Sequence, residues 1–410
     1  MGLFTETALT LSKYFGRVTY SSPWANGFPS SMQTEVGEGF KQFERIKDVH
    51  EVIDETDLFV FTDIYYSALQ IDLLARGKRV WGPRDADELE IYRSDAKKHF
   101  AELGIPQGAY TVVRGIGKLR ETIKHRGKDK LWIKIEETRG DTESFSVQGG
   151  PTLSAYDLYK NKIDDLEHRL GPKAEVMIFI VEDDLPDTLD LAIDTHSIDG
   201  TWPSVAILGT EEKGECYIGV KKNWSEMPKN LVDIYNKLSD TLKRYEYRNF
   251  ISLESRVKNK SIYLGDPCMR SGSPPSEVEL KWITNIPDIM WFGAEGKMVD
   301  PDFDGKFGVQ LNVHSDWCDK NPLIIDFPPA LRDNITFRYN AEFDGVTCIM
   351  PQGAGPRCAA IVSHGDSLDD CIEECKEISK QINGIQIESF TRSFPIIQEK
   401  IKTLKSWGEF

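Results

Sequence analysis

Hydrophobic and polar positions repeat with two different periods along this chain, and each change of period marks a new element. "FTETALTLSKYFG" carries apolar residues at helical spacing and stops at Gly16, after which "RVTYSS" reads as a strand. "DLFVFTD" (57–63), "YYSALQIDLLARG" (65–77) and "KRVWGP" (78–83) predict strand, helix and strand, a parallel pair with a crossover helix. "DADELEIYRSDAKKHFAELGIP" predicts one charged amphipathic helix ending at Gly104, and a boundary is expected near residue 88.

"YTVVRG" and "LWIKIEE" read as strands around the helix "IGKLRETIKHRG", and the helix "SAYDLYKNKIDDLEHRLG" precedes the apolar strand "EVMIFIVEDD". These predict a small α+β unit. Beyond it come the strands "TLDLAID", "YIGVKK", "FISLESRV" and "SIYLGDP" and the long helix "MPKNLVDIYNKLSDTLKRYEY". The last hundred residues mix strand and helix, with "AAIVSHGDSLDDCIEECKEISKQI" giving a strand, a Ser/Asp-capped start and an amphipathic helix.

At 410 residues the chain is too long for one ordinary core, so two to four units sharing interfaces are expected. The net charge of -16, from 50 basic and 66 acidic side chains spread along the chain, disfavours direct binding of DNA or RNA. A local basic groove can still hold a nucleotide, above all with a divalent cation between them. Seven irregularly spaced cysteines point to free thiols in a reducing compartment, the cytoplasm. "CIEEC" sets Cys371 and Cys375 one helical turn apart without a second Cys/His pair, which favours half-buried thiols over a metal site. The longest apolar runs, such as "VMIFIV" (176–181), are too short to span a membrane, and "MGLFTETALT" carries neither a basic region before an apolar stretch nor a myristoylation signal. No P-loop, H-E-x-x-H, G-x-S-x-G or G-x-G-x-x-G is present, and no internal repeat.

Three stretches carry candidate chemistry. "FISLESRVKNKSIYLGDPCMRSG" reads as a hairpin; with a three-residue turn of Lys258, Asn259 and Lys260, Glu254 lies opposite Leu264 and diagonal to Asp266 on one face. Two carboxylates that close oppose joint ionisation unless a divalent cation lies between them, and Mg²⁺ suits one or two carboxylates with water and phosphate oxygens. Arg270, two steps past Cys268, then faces whatever the metal holds; the competing reading pairs Asp266 with Arg270 in solvent. A two-residue turn instead puts the acids on opposite faces. In "LWIKIEETRGDTESF", Lys134 sits in an apolar strand and either snorkels to the rim or meets an anion such as a nucleotide phosphate. "EVMIFIVEDDLPDTLDLAID" is either a core strand running into a solvated acidic turn or a strand offering backbone to a flat base and Glu182 or Asp190 to ribose hydroxyls.

Taken in order, these stretches resemble the ATP-grasp superfamily, and within it the phosphoribosylamine–glycine ligases. The resemblance covers nearly the whole chain. It implies an α/β and α+β multidomain fold: an N-terminal Rossmann-like unit lacking its first strand (1–88), ATP-grasp domains (89–310) with a lid at about 109–172, and a small C-terminal α+β unit (311–410). The family's lysine pair ahead of a Gly-Ile-Pro maps to Arg93 and Lys97, its nucleotide-binding lysine to Lys134, its adenine hinge to Ile180 and Glu182, and its ribose acid to Asp190. Its metal pair maps to Glu254 and Asp266, and the arginine of its E-x-N-x-R-x-G strand to Arg270.

The activity so implied is ATP-dependent joining of a small carboxylate, such as an amino acid, to an amine through an acyl phosphate, with Mg²⁺, or Mn²⁺ in its place. Asp266 and Arg270 are the catalytic assignments. Three departures stand out: Cys268 replaces the Asn expected at the metal, Gly140 is the only glycine in the lid loop "ETRGDTESF", and a helix stands where the first strand and its Gly-rich turn are expected. The last weakens the case for phosphoribosylamine as acceptor. The first two motivate the alternative of an ATP-binding protein without turnover, acting as sensor or scaffold.

Overall fold

The computed structural model describes residues 4–21, 36–137, 144–351 and 355–410. Its first unit holds α1 (Phe4–Ser12) and two parallel strands, β1 (Leu58–Val60) and β2 (Arg79–Trp81), joined by the crossover helix α2 (Ser67–Ala75). A further parallel pair of two residues each links Thr19–Tyr20 to Glu44–Arg45. The end of β2 ties this unit to the next: Trp81 is fully buried, and Gly82 bridges to Arg248. Gly293 makes room for that indole, because a Cβ there would stand 2.4 Å from the ring.

The single amphipathic helix expected from Asp85 is broken. A 3-10 turn (Arg84–Asp87) and a four-residue helix (Glu88–Ile91) precede α3 (Arg93–Glu102), with the break at Tyr92 (φ -95°, ψ 73°). Two carboxylates account for it. Glu90 accepts from Met269 N–H at 2.7 Å and meets Arg270, while Glu136 accepts from the Ser94 N–H and hydroxyl, capping α3 from a distant strand.

Next comes an antiparallel sheet built from β3 (Tyr110–Arg114), β4 (Leu131–Ile135), β5 (Ser144–Val147) and β6 (Ile178–Asp183), in the order β3-β6-β4-β5. Helices α4 (Ile116–Arg126) and α5 (Ala155–Leu170) share its core through Leu119, Ile123, Ile163 and Leu166, and Ser154 starts α5 with a capping box. Because β6 is an inner strand of this sheet, the lid unit runs past the expected end at residue 172 to Asp183.

The largest sheet has nine strands and is antiparallel throughout. Strands β7 (Leu189–Ile198), β8 (Val205–Glu212), β9 (Cys216–Asn223), β10 (Arg248–Lys258) and β11 (Ser261–Cys268) are covered by α6 (Lys229–Arg244), whose Leu231, Ile234, Leu238 and Leu242 face the core. Strands β12 (Phe307–Ser315), β13 (Ile335–Phe337), β14 (Arg357–Gly365) and β15 (Ile387–Ser389) extend it, under α7 (Leu368–Ser379) and α8 (Ser393–Trp407). The order is β11-β10-β7-β8-β9-β12-β14-β13, with β15 on β12.

The boundary expected at residue 311 therefore falls inside β12, which pairs with β9 on one edge and β14 on the other. One ladder joins the two units. Cys371 and Cys375 are buried rather than half-buried, because their shared stripe on α7 faces the sheet. No helix among the described residues is long and apolar enough to cross a membrane.

Candidate functional site

The hairpin β10–β11 turns on two residues, not three. Lys258 pairs with Ser261 around Asn259 and Lys260, and Asn259 takes the left-handed backbone (φ 53°). From that turn the ladder runs to Ser255 opposite Leu264, so regular pairing would continue with Glu254 opposite Gly265. The register shifts there: Gly265 is an extra residue, and Glu254 pairs directly with Asp266. The turn expected from the sequence is wrong, and a bulge that the sequence reading lacked brings the two acids together.

Lys134 on β4 does not snorkel. It is 6% exposed, with Nζ 2.7 Å from Asp266 Oδ2 and 2.9 Å from Glu182 Oε2. Lys97 on α3 reaches Glu182 Oε1 at 2.7 Å. Arg93, one turn earlier, donates to the carbonyl of Ile135. Four elements, α3, β4, β6 and β11, thus deliver cations and acids to one place. Burial favours the neutral acid at Asp266, but Lys134, Arg93 and Lys97 outweigh it and hold that carboxyl well below its ordinary range. Burial likewise lowers the Lys134 ammonium, and Asp266 and Glu182 more than restore it. The Asp266 side chain keeps 39% of its surface in solvent, which leaves it open to a ligand.

On the other side of the pair lie residues that the sequence reading missed. Lys213, in the loop between β8 and β9, stands 2.9 Å from Glu211 and 3.2 Å from Glu254. Arg256 pairs with Asp190 at 2.8 Å and reaches Glu254 at 3.4 Å. Burial and the charge of Asp266 favour the neutral acid at Glu254, but Lys213, Arg256 and Lys134 together outweigh them and hold it below its ordinary range, whereas burial and the charge of Glu254 push Asp190 up to about 7. Arg256 was within reach of the sequence, since it lies two residues from Glu254 and so on the same strand face.

Neither protein-family models nor curated proteins match the sequence. Solved structures align with nearly all of it. Phosphoribosylamine–glycine ligase from Thermotoga maritima is 16% identical with a TM-score of 0.69, over 95% of this chain and 96% of that one. The biotin carboxylase domain of 2-oxoglutarate carboxylase from Hydrogenobacter thermophilus, solved with MgADP, ADP and bicarbonate, is 11% identical with a TM-score of 0.67, over 95% and 90%. N5-carboxyaminoimidazole ribonucleotide synthetase from Thermus thermophilus is 13% identical with a TM-score of 0.58, over 93% and 96%. All three are ATP-grasp enzymes. This chain has the ATP-grasp fold.

Within the ATP-grasp frame, several expected positions need correction. Arg270 does not present a free guanidinium beside the acid pair: its Nε stands 3.0 Å from Glu90 and 3.3 Å from Asp63, both buried. Ile180 lies inside the lid sheet, paired with Val112 on one edge and Lys134 on the other, so the ladder takes up the backbone that was expected to meet a base. Cys268 is pushed up to about 12 by burial and by Glu90, and a thiol kept neutral is no Mg²⁺ ligand. Gly140 lies outside the described residues.

Proposed function

We propose that this protein is an ATP-dependent carboxylate–amine ligase that activates its carboxylate as an acyl phosphate and releases ADP and phosphate. The observation that carries the reading is the cross-strand pair Glu254 and Asp266, with buried Lys134 on Asp266, in a chain of ATP-grasp fold. Similar structures include a ligase and a carboxylase domain holding MgADP, which agrees with ATP as the driving substrate.

The donor set suits Mg²⁺, or Mn²⁺ in its place. Among the described residues no group of three or more His, Cys, Asp or Glu is arranged to hold a metal, and two carboxylates with water and phosphate oxygens are what Mg²⁺ takes. When bound, the cation neutralises the triphosphate and polarises the phosphoryl group under attack. The chain's own residues do the rest. Lys134, kept charged by its acids, meets the transferred phosphoryl group; Lys97 and Arg93 add positive charge beside it, fixed before the reaction begins. Glu182 holds both ammonium groups in position. Asp190, steadied by Arg256, is assigned to the ribose and Gly140 to the phosphate cover. Arg270 acts as a positioning residue for the end of β11, because its charge is already matched by Glu90 and Asp63.

The test supplies MgATP with pools of amino acids and amines, and reads ADP together with product masses. ADP release that requires both substrates, with a product weighing their sum less one water, is expected. Tight MgATP binding without turnover in every mixture would replace the ligase with a sensor or scaffold.

A further inference from the structure

A cavity of about 200 Å³ lies in the N-terminal unit, between α1, the 3-10 turn Val49–Val52 and β1. Leu11, Val18, Val52 and Phe59 make the apolar part of the wall, Thr7, Thr19, Thr56 and Thr62 belong to the lining as well, and Asp63 and Tyr66 bring an acid and a phenol to it. An engineered apolar cavity of about 150 Å³ takes benzene, so this one has room for a single ring or a branched alkyl group with a short tail.

Asp63 gives the cavity its chemistry. It is 6% exposed, and its Oδ1 accepts from the Ile64 N–H at 3.0 Å and stands 3.3 Å from Arg270 Nε. Among the described residues no hydrogen bond falls on Oδ2. Arg270 also serves Glu90, so its guanidinium is shared between two carboxylates. A largely buried carboxylate with one oxygen free of hydrogen bonds, in a chamber whose wall is more apolar than polar, suits a cation with an apolar body. Burial and the charge of Asp63 both raise the Tyr66 phenol, which keeps it neutral beside that acid. Arg270 follows Asp266 by four residues, at most about 14 Å of extended chain, so one short stretch of chain links the residue paired with Asp63 to the proposed site of phosphoryl transfer.

We propose that this cavity takes the amine substrate, a primary amine on an aryl-alkyl or branched alkyl body, with its ammonium on Asp63. The inference rests on the ligase reading and supplies its acceptor class.

The test needs no nucleotide. Phenethylamine, its neutral analogue 2-phenylethanol, the acid 3-phenylpropionate and the small polar amine ethanolamine are titrated into the full chain by calorimetry. Phenethylamine is expected to bind at least tenfold tighter than each of the other three, and Ala8→Phe, which fills the chamber, and Asp63→Asn are each expected to weaken it at least tenfold. Equal binding of all four probes, or phenethylamine binding unchanged in both variants, would overturn the proposal. The probe series decides the matter even where a variant fails to unfold cooperatively. Amine binding without ATP turnover would remove the ligase reading alone; MgATP turnover with no preference for apolar amines would remove this one alone.

Discussion

Glu254 stands opposite Asp266 because Gly265 is one residue too many for the ladder between them. Deleting Gly265 makes Asp266 the next residue after Leu264, so a regular ladder still sets it opposite Glu254. Nucleotide turnover is expected to persist in that deletion and to vanish in Glu254→Gln, which keeps the bulge and loses one acid. Gly265→Ala is the milder probe: the added Cβ would lie 3.1 Å from the Glu254 carbonyl in an ordinary backbone region, so a cost below about 1 kcal/mol and retained turnover are expected. ADP release checks all three. Turnover lost on deletion but kept in Glu254→Gln would show that the kink matters and the meeting of the acids does not.

Asp266→Asn keeps the shape of the hairpin and removes one charge. Lys134 retains Glu182 at 2.9 Å, so the fold is expected to survive. What is lost is the carboxylate that joins the buried lysine to open solvent. Loss of a group that merely orients a metal ligand costs about 10- to 100-fold, and a ligand itself should cost at least the upper figure. A titration of turnover against Mg²⁺ checks this; an unchanged Mg²⁺ dependence would remove Asp266 from the metal.

The sequence reaches this corner but misjudges its neighbours because strand and helix patterns are local while the contacts that complete the site are not. Strand and helix periods are local, so the lid elements and the parallel pair with its crossover helix were readable from apolar spacing alone. Lys134, Glu182, Glu254 and Asp266 were readable because each is a charged residue in or at the end of an apolar strand, and Arg256, on the strand of Glu254, was within the same reach. Lys213 comes from a loop two strands away in the sheet, and nothing in its own neighbourhood marks it. The bulge at Gly265 and the commitment of Arg270 to Asp63 and Glu90 depend on contacts between distant segments, which periodicity does not carry. Cys268 and Arg270 looked alike as every-second residues of one face, yet β11 ends at Cys268, and past that point alternation no longer sets direction.

Arg270→Ala leaves Asp63 and Glu90 buried without their shared counter-ion. Removing one partner of a buried ion pair costs about 3–5 kcal/mol. A fall in the unfolding free energy of that size, and with it a lower midpoint, is expected from urea unfolding, with Arg270→Lys between the variant and the natural chain, because an ammonium restores charge but not the planar fork. A midpoint unchanged in Arg270→Ala would mean that the triad contributes nothing to holding the N-terminal unit on the grasp.

His196 makes the folded state gain stability as the pH rises from about 4 to about 6.5. It is 2% exposed, packed against Trp81 and Phe250, and burial lowers it to about 4. Between about 6.5 and 4 the unfolded chain binds a proton that the folded chain refuses. Its contribution is therefore complete above about 6.5 and is lost as the pH falls towards 4, on the order of 3 kcal/mol at 1.4 kcal/mol per pH unit. Asp190 and Asp194 oppose it, since burial raises them to about 7 and about 6, and their stabilisation is lost as the pH rises through those values. The natural chain alone thus mixes opposite slopes, and the difference curve isolates the imidazole. His196→Gln is expected to be less stable at pH 7.5 and to regain about 2–3 kcal/mol on the natural chain by pH 4.5, read from urea unfolding at each pH. A gap that stays constant across that range would mean that His196 is charged inside the core.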